Sequence, residues 1–323
     1  MIRNSVVLVL GAGASQPYDF PSGAALKREA QALDARNDTE FRQTFLHSGV
    51  DIEEFDRFSK ALARSPVGSV DAFLEARRDF VDIGKHVIAY LLIKRENPKA
   101  LGDISPKDNE NWYRYLFQLM TTEGLGGFKE NNLQIITYNY DRSFEYFFLN
   151  ALMSTYGLNF QYAQEQLSHI RIIHVHGQLG MLAEAAAPNF SRTYNSDTSA
   201  EQVRTAADGI RIVHELEGES GAWEGFEQAW GALHKARTII FLGFGYGPEN
   251  IQRLLRGAEQ GREDNRLFGT TYGKTDSEIR TLIQPEIAKF NLQLVQTTAS
   301  NGKVLEYIQN NLELFVNDGG NKS

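Results

Sequence analysis

The sequence contains no cysteine. This absence excludes disulfide bonds, thiolate nucleophiles and every zinc site that is built on cysteine ligands. Two histidines, His174 and His176, stand close together in an apolar run, but no third ligand accompanies them. Because a metal site needs more ligands than two, we expect neither zinc nor another metal here.

The sequence also lacks an excess of positive charge. It has 33 Lys and Arg residues against 41 Asp and Glu residues, which gives a formal net charge of −8, and it contains no block of like charges. Surfaces that bind nucleic acid normally carry clustered Lys and Arg. We therefore expect no direct contact with DNA or RNA.

Long hydrophobic runs are missing as well. The first apolar run, Val6 to Leu10, is shorter than the roughly 7 to 15 residues of a signal-peptide core. No stretch approaches the roughly 20 apolar residues that span a membrane. We expect a cytoplasmic protein without membrane contact.

Short apolar runs do recur, and each ends in Gly, Asn or His before a helical pattern begins. This arrangement is typical of parallel strands in an α/β sheet. The predicted strands are Ser5–Leu10, Leu133–Tyr138, Ile170–Val175, Thr238–Leu242 and Leu292–Thr297, with Gly209–His214 as a sixth candidate.

A long stretch between the first two predicted strands has helical spacing instead. In "DIEEFDRFSKAL", the apolar residues Ile52, Phe55, Phe58 and Leu62 fall on one stripe of a helix. The predicted organisation is a discontinuous α/β domain that comprises residues 1–33 and 132–316. Residues 34–131 are predicted to be a helical insertion, and residues 317–323 a disordered tail. The polar segment from Ala183 to Ala207 is predicted to be a mobile loop over a site.

The first predicted strand ends in "GAGASQ", where Gln16 stands in place of the third glycine of a dinucleotide-binding turn. Gly11 and Gly13 would let the backbone approach a phosphate, and Ser15 and the following helix could donate to it. A plain strand-to-helix turn explains the glycines equally well. A dehydrogenase would need an acid after a second strand, but Asp34 follows a helix-like run, so that function is disfavoured.

Polar residues follow the second and third predicted strands. The amide of Asn139 could hold a ribose hydroxyl or a water, although Asn also forms turns. Asp141 could cap the next helix. His176, at the tip of its strand, is the best candidate base because His titrates near neutrality, and a structural role is the alternative.

The fourth strand end is again rich in glycine, with Gly243, Gly245 and Gly247. Taken in order, the four strand ends resemble the pattern of the sirtuin (SIR2) superfamily: GAG-x-S, T-x-N-x-D, His-Gly and a late glycine-bearing turn. The matching residues are Gly11-Ala12-Gly13-Ala14-Ser15, Thr137-Tyr138-Asn139-Tyr140-Asp141, His176-Gly177 and Gly243-Phe244-Gly245. The resemblance implies a Rossmann-like parallel sheet with helices on both faces, which binds NAD and breaks its bond between nicotinamide and ribose.

Two departures indicate a branch of that superfamily. Protein-deacetylating sirtuins carry a four-cysteine zinc ribbon, which this sequence cannot form, and an arginine in the loop that corresponds to Asp19–Gly23, which is missing. The segments "FPSGAAL" and "GTTYG" and the helical insertion look instead like the bacterial SIR2-like NADases of antiphage defence. That resemblance implies NAD depletion by a homo-oligomer, or action beside a partner such as a HerA-like ATPase, an Argonaute-type protein or a nucleotide sensor.

The chemistry expected from this resemblance needs few residues. The cationic nicotinamide leaves without protonation, so the carboxylate pair of ordinary glycosidases is unnecessary. Asn139 would orient the ribose and the attacking water, His176 would accept a proton, and Asp141 would orient Asn139 or the ribose. The NAD-binding residues would be Gly11, Ala12, Gly13, Ala14, Ser15, Thr137, Gly177, Gly243, Phe244 and Gly245. A protein deacylase and a non-catalytic sensor of NAD or ADP-ribose are the alternatives.

Overall fold

A computed structural model describes residues 1–102, 110–184, 190–212, 224–256 and 266–316. The predicted tail, 317–323, lies outside these ranges. Within them, the strands are β1 Val6–Leu10, β2 Leu133–Thr137, β3 Arg171–His174, β4 Met181–Leu182, β5 Ser191–Arg192, β6 Thr238–Leu242, β7 Arg266–Gly269 and β8 Leu294–Val295.

Six of these strands form one parallel sheet in the order β3-β2-β1-β6-β7-β8, while β4 and β5 pair in a separate ribbon. When only the strands of the large sheet are counted along the chain, the order is 3-2-1-4-5-6, which is that of the Rossmann fold. The predicted Rossmann-like α/β fold is therefore confirmed.

The central strand β1 shows why apolar runs form this sheet. All five of its residues are buried, and Leu8 pairs with Ile135 on one side and Ile240 on the other. Val7 and Val9 belong to a different apolar cluster from Leu8, since alternate side chains point to opposite faces. A strand that is covered on both faces must be apolar throughout, as this one is.

Helices cover both faces of the sheet. The helices before the large sheet's second strand are α1 Gly23–Ala32, α2 Thr39–Ser48, α3 Ile52–Arg64, α4 Val70–Ala76, α5 Val81–Ile93, α6 Pro98–Gly102, α7 Trp112–Met120 and α8 Gly124–Phe128. The later ones are α9 Ser143–Tyr156, α10 Phe160–Leu167, α11 Ala200–Gly209, α12 Glu224–Lys235, α13 Pro248–Leu255, α14 Asp276–Glu278, α15 Gln284–Ala288, α16 Val304–Asn310 and α17 Glu313–Val316. Helices α12, α13 and α15 and the π-helical turn Ile279–Ile283 pack on one face, and most of the other helices pack on the opposite face.

Between α1 and β2, the described residues form the helices α2 to α8 and their connecting loops and contain no strand, as predicted. Its aromatic residues form a core: the rings of Phe41 and Phe55 lie 4.9 Å apart between centroids, and those of Phe58 and Phe73 lie 5.9 Å apart. These rings join the same apolar cluster as Leu8 of the sheet. The helical segment thus shares a core with the sheet, and the predicted domain boundaries remain a proposal.

Two predictions about the chain after β3 need correction. The candidate strand from Gly209 is not one, because α11 ends there and Ile210 makes only an isolated antiparallel bridge to Gly177; its last residues, 213–214, lie outside the described ranges. The predicted loop 183–207 contains β5 and most of α11, whose Val203 and Ala206 are buried; residues 185–189 are not described. Small residues allow α11 to pack closely against α5.

The strand β7 was missed, and β8 is shorter than the predicted strand from Leu292. Both lie on the outer side of the sheet, where runs are short and weakly patterned. Within the described ranges, none of the helices is both long enough and apolar enough to cross a membrane.

Candidate functional site

A cavity of about 460 Å³ lies beyond the carboxyl ends of the central strands. Its wall includes residues that follow β1, β2, β3 and β6, namely Gly11, Ala12, Tyr138, Asn139, Tyr140, His176, Phe244 and Gly245. Strand order reverses between β1 and β6, and ligands of open α/β sheets bind at such a reversal. The volume is within the roughly 300 to 1,000 Å³ of small-molecule sites.

The helical segment supplies another wall of the cavity through α4 and the two residues before it. The residues involved are Gly68, Ser69, Asp71, Ala72 and Glu75. The Ser69 side chain accepts a hydrogen bond from the Ala72 N–H and so fixes the start of the helix. This wall was missed in the sequence, because a capped amphipathic helix far from every motif carries no local signal of a site.

The glycines after β1 and β6 allow two turns to touch. Gly11 N–H donates to Leu242 O at 3.0 Å, and Gly13 N–H donates to Gly243 O at 2.9 Å. A Cβ atom on Gly11 would lie 2.7 Å from Gly243 O, and one on Gly243, whose φ is 58°, would lie 2.1 Å from Ala14 N. Glycine is therefore required by backbone packing between neighbouring turns.

The turn after β1 does not lead directly into an α-helix, contrary to expectation. Two 3₁₀ turns, Ala12–Ala14 and Gln16–Tyr18, precede α1, which begins only at Gly23. The N–H groups of Ala14 and Ser15 donate to Gly11 O and Ala12 O respectively. These donors are already paired within the protein, so a phosphate here would rely on other groups. One is the positive charge of Arg211 in the cavity wall, although its Nη1 already donates to Asp208 O and Ile210 O.

The side chain of Asn139 has a defined orientation. Its Nδ2 donates to Gly11 O and to Ser15 Oγ, each at 3.0 Å. Because a backbone carbonyl only accepts, the atom that faces Gly11 O must be the amide nitrogen. Both amide hydrogens are thus used, and Oδ1 is the atom left to accept a hydrogen bond from a ligand. The Asn139 N–H donates to Thr137 Oγ1 at 3.0 Å, which gives Thr137 a place in the same arrangement.

Asp141 and the Asn139 side chain share Ser15 as a hydrogen-bond partner. Its carboxylate accepts from the N–H and the hydroxyl of Ser143 and thereby caps the start of α9. Burial raises the pKa of Asp141, while hydrogen bonds from Ser143 and Ser15 oppose that rise. With Ser15 and Asn139 it lines a side pocket of about 80 Å³ that adjoins the main cavity.

His174 lies beneath Asn139, and sequence reasoning considered it only as a metal ligand. Its Nδ1 is 2.9 Å from the Asn139 carbonyl oxygen, and its Nε2 is 2.6 Å from Glu145 Oε1. Burial by itself lowers the pKa of His174, but Glu145 and the Asn139 carbonyl outweigh that effect and raise it above its usual value.

His176 lines the cavity and is buried against aromatic rings. Its ring centroid lies 5.2 Å from that of Tyr138 and 5.6 Å from that of Phe226. Burial, together with the positive charge of Arg253, lowers the pKa of His176 to about 4. The imidazole is therefore neutral at physiological pH and can accept a proton.

Four of the predicted NAD-binding residues, Gly13, Ala14, Gly177 and Gly243, do not line the cavity. Gly177 has a φ of 74° and packs against Gly209. A Cβ atom on Gly177 would lie 2.0 Å from the Gly209 carbonyl oxygen. Ala14 is buried, and its carbonyl accepts from Trp112 Nε1 at 2.8 Å. The Gly13 N–H donates to the Gly243 carbonyl. Phe244 and Gly245, by contrast, line the cavity.

Carboxylates that the sequence did not point to also face the cavity. Asp71 accepts a hydrogen bond of 2.6 Å from the Tyr140 hydroxyl, and burial raises its pKa despite that bond. Glu75 and Glu249 lie 3.5 and 3.8 Å from the Arg253 guanidinium. These groups are acceptors for the hydroxyl or amide hydrogens of a ligand. In the described residues, no three potential ligand side chains gather to hold a metal ion.

Comparison with protein families matches the SIR2-like domain to residues 133–293, about half of the chain. The matched range contains Asn139, His176 and the turn Gly243–Gly245, and the structure adds the Gly11–Ser15 turn beside them. No curated protein gives a significant match. The chain belongs to the SIR2-like superfamily. Domains of this family use NAD, so the match supports an NAD-related activity.

Proposed function

We propose that this protein is an NAD glycohydrolase, which cleaves NAD to nicotinamide and ADP-ribose. One observation carries the proposal: Asn139, with both amide hydrogens committed, and the neutral His176 line the same cavity at the reversal of strand order. An acceptor of fixed orientation and a free base are what the hydrolysis of an activated glycosidic bond requires.

The cavity has features suited to a dinucleotide. The aromatic rings of Tyr138 and Phe244 offer apolar surface, and the carboxylates of Asp71 and Glu249 offer acceptors for ribose hydroxyls. Gly245 has no atom within 4 Å of a Cβ position, which leaves room beside the backbone. The Arg211 side chain would supply positive charge for the diphosphate. Thr137, Gly13, Ala14, Gly177 and Gly243 would contribute indirectly, by shaping the wall.

The roles of the residues follow from their hydrogen bonds. Asn139 Oδ1 accepts a hydrogen bond from a ribose hydroxyl or from the attacking water and so orients it. His176 accepts the proton that this water releases as its oxygen bonds to the ribose carbon. NAD supplies a cationic leaving group that takes the bonding electron pair, so no acid is needed to protonate it. Asp141 holds Asn139 in place through Ser15.

We propose further that the activity depletes NAD in bacterial antiphage defence. The support is the resemblance of Phe20-Pro21-Ser22-Gly23, the helical segment 34–131 and Gly269–Gly273 to the SIR2-like NADases of such systems. That assignment places the protein in the cytoplasm, as a homo-oligomer or beside a sensor such as a HerA-like ATPase. It involves neither direct nucleic-acid binding nor a resident zinc ion.

The test is to incubate the purified protein with NAD and to quantify nicotinamide and ADP-ribose by chromatography, with and without an acetylated peptide. The proposal predicts equal amounts of both products without peptide, and ¹⁸O from labelled water in the ADP-ribose. Release that requires the peptide would contradict hydrolysis and favour a deacylase. Binding of NAD without turnover, also after addition of the product of the neighbouring gene, would favour a sensor.

A further inference from the structure

We infer that Glu145 and His174 form a positioning pair that holds Asn139 in the geometry required for NAD cleavage. The inference deepens the proposed function and rests on it. It concerns two residues that do not line the main cavity, and their effect would pass through the main chain of Asn139.

The pair is defined by hydrogen bonds at both ring nitrogens of His174. The Asn139 carbonyl only accepts, so His174 Nδ1 carries a hydrogen and donates to it at 2.9 Å. At the other end of the ring, Nε2 lies 2.6 Å from Glu145 Oε1. The side chains are only 9% and 15% exposed, so water competes little for either bond. A ring held at both ends has one orientation.

The structure of the sheet brings the pair under Asn139. His174 is the last residue of β3 and is in register with Thr137, the last residue of β2. His174 contacts the backbone of Asn139 from the end of the strand. The proposed base, His176, lies in the turn that follows and lines the cavity.

Every polar atom of Asn139 except Oδ1 then has a hydrogen-bond partner. Its carbonyl accepts from His174, its N–H donates to Thr137, and its amide nitrogen donates to Gly11 and Ser15. Without the donor at His174, the partly buried carbonyl would lose its partner and the peptide could rotate. Such a rotation would move Oδ1, the atom that orients ribose or water.

Two substitutions of His174 separate positioning from mere packing. In His174→Asn, the amide nitrogen can occupy nearly the place of Nδ1 and still donate to the Asn139 carbonyl, whereas His174→Leu fills space without a donor. Misplacing a reacting group by about 1 Å can cost about 100-fold in rate, so we expect that order of loss in kcat for the leucine variant, with KM changed less than about threefold. The asparagine variant should recover at least about tenfold of that loss.

Glu145→Gln is a further variant, since its side-chain amide has almost the same shape and can accept from Nε2 when that atom carries a hydrogen or donate to it when it does not. It should retain more kcat than Glu145→Ala, and thermal unfolding must show that all four variants fold. Equal kcat values in His174→Leu and His174→Asn, or a leucine variant as active as the unchanged protein, would overturn the inference.

Crystal structures of the His174 variants distinguish this inference from the proposed function. In His174→Leu, Asn139 Nδ2 should leave hydrogen-bonding distance of Gly11 O, and in His174→Asn it should stay. If the unchanged protein releases no nicotinamide, the proposed function fails, while the structures still decide whether His174 positions Asn139. An unmoved Asn139 in the leucine variant would refute the positioning role whatever the activity.

Discussion

At the scale of single residues, Asn139 and His176 are prepared for their roles by opposite environments. The side chain of Asn139 is fixed by hydrogen bonds to the Gly11–Ser15 turn, which leave Oδ1 as its one free acceptor. His176 is surrounded by Tyr138 and Phe226, and burial removes its charge. A base that is neutral at physiological pH need not lose a proton before it acts, although a low pKa makes it a weaker base.

The pKa of His176 predicts the acid limb of the pH profile. Because the pKa is lowered to about 4 from the usual 6.5, the proton-accepting form persists down to that pH. We expect kcat/KM for nicotinamide release to stay level as the pH falls through 6.5 and to drop only near 4. Circular dichroism at each pH must show that the fold is retained. An acid limb centred near 6.5 would contradict the buried environment of His176.

The glycines at the two touching turns give a prediction about stability. In Gly243→Ala, the added Cβ would collide with the backbone of Ala14 in a left-handed conformation that favours glycine. We expect the free energy of unfolding to fall by about 2 to 3 kcal/mol, measured by chemical denaturation.

Gly245→Ala is the matched control, because its Cβ would point into open space. Its free energy of unfolding should change by less than about 0.5 kcal/mol. Equal stability of the two variants would mean that the turns do not pack as closely as the structure shows.

At the scale of elements, a buried charge network ties the site to the chain around it. Arg142, directly after Asp141, donates to both carboxylate oxygens of Glu96, just beyond α5, at 2.8 and 2.6 Å. It also donates to the carbonyl of Gly180, which precedes β4, and to that of Arg192 in β5. The Arg192 side chain also donates to Glu96, from Nη1 to Oε2 at 3.2 Å. Because the side chains of Arg142, Glu96 and Arg192 are inaccessible to solvent, this network connects the helical segment, the start of α9 and the ribbon.

Removing Arg142 should therefore be costly. Among the described residues, Arg142→Met leaves Glu96 with Arg192 as its remaining charged partner. Breaking a buried ion pair typically costs about 3 to 5 kcal/mol. Urea denaturation should show a loss of this size, whereas Arg36→Met, which breaks an exposed pair with Asp56, should leave the transition unchanged. A stable Arg142→Met variant would show that the network does not hold these elements.

The elements also show how far the sequence could predict the structure. The run Thr238–Leu242 is the strand β6 itself, because a doubly covered strand is apolar and ends in a turn. By contrast, β7 has only four residues, and α11 buries mainly Val203 and small alanines, so neither gives a strong periodic pattern. Asn139 and His176 were predictable because they follow strands, while Asp71 was not, since only the folded chain brings α4 over the cavity.

At the scale of the whole molecule, sheet order assembles a site from distant segments. The SIR2-like match begins at β2, yet the Gly11–Ser15 turn lies beside it because β1 pairs with both β2 and β6. The helical segment closes the cavity from the other side through α4. The proposed activity therefore depends on the sheet and the helical segment together.

The central claim is that Asn139 and His176 cleave NAD, and the most direct measurement is the rate of nicotinamide release by matched variants. Asn139→Ala and His176→Ala should each lose at least about 100-fold in kcat, the lower end of what a positioned acid or base contributes. His169→Ala, which alters an exposed histidine, should retain the full rate. If folded Asn139→Ala and His176→Ala variants release nicotinamide as fast as the unchanged protein, this site does not perform the reaction.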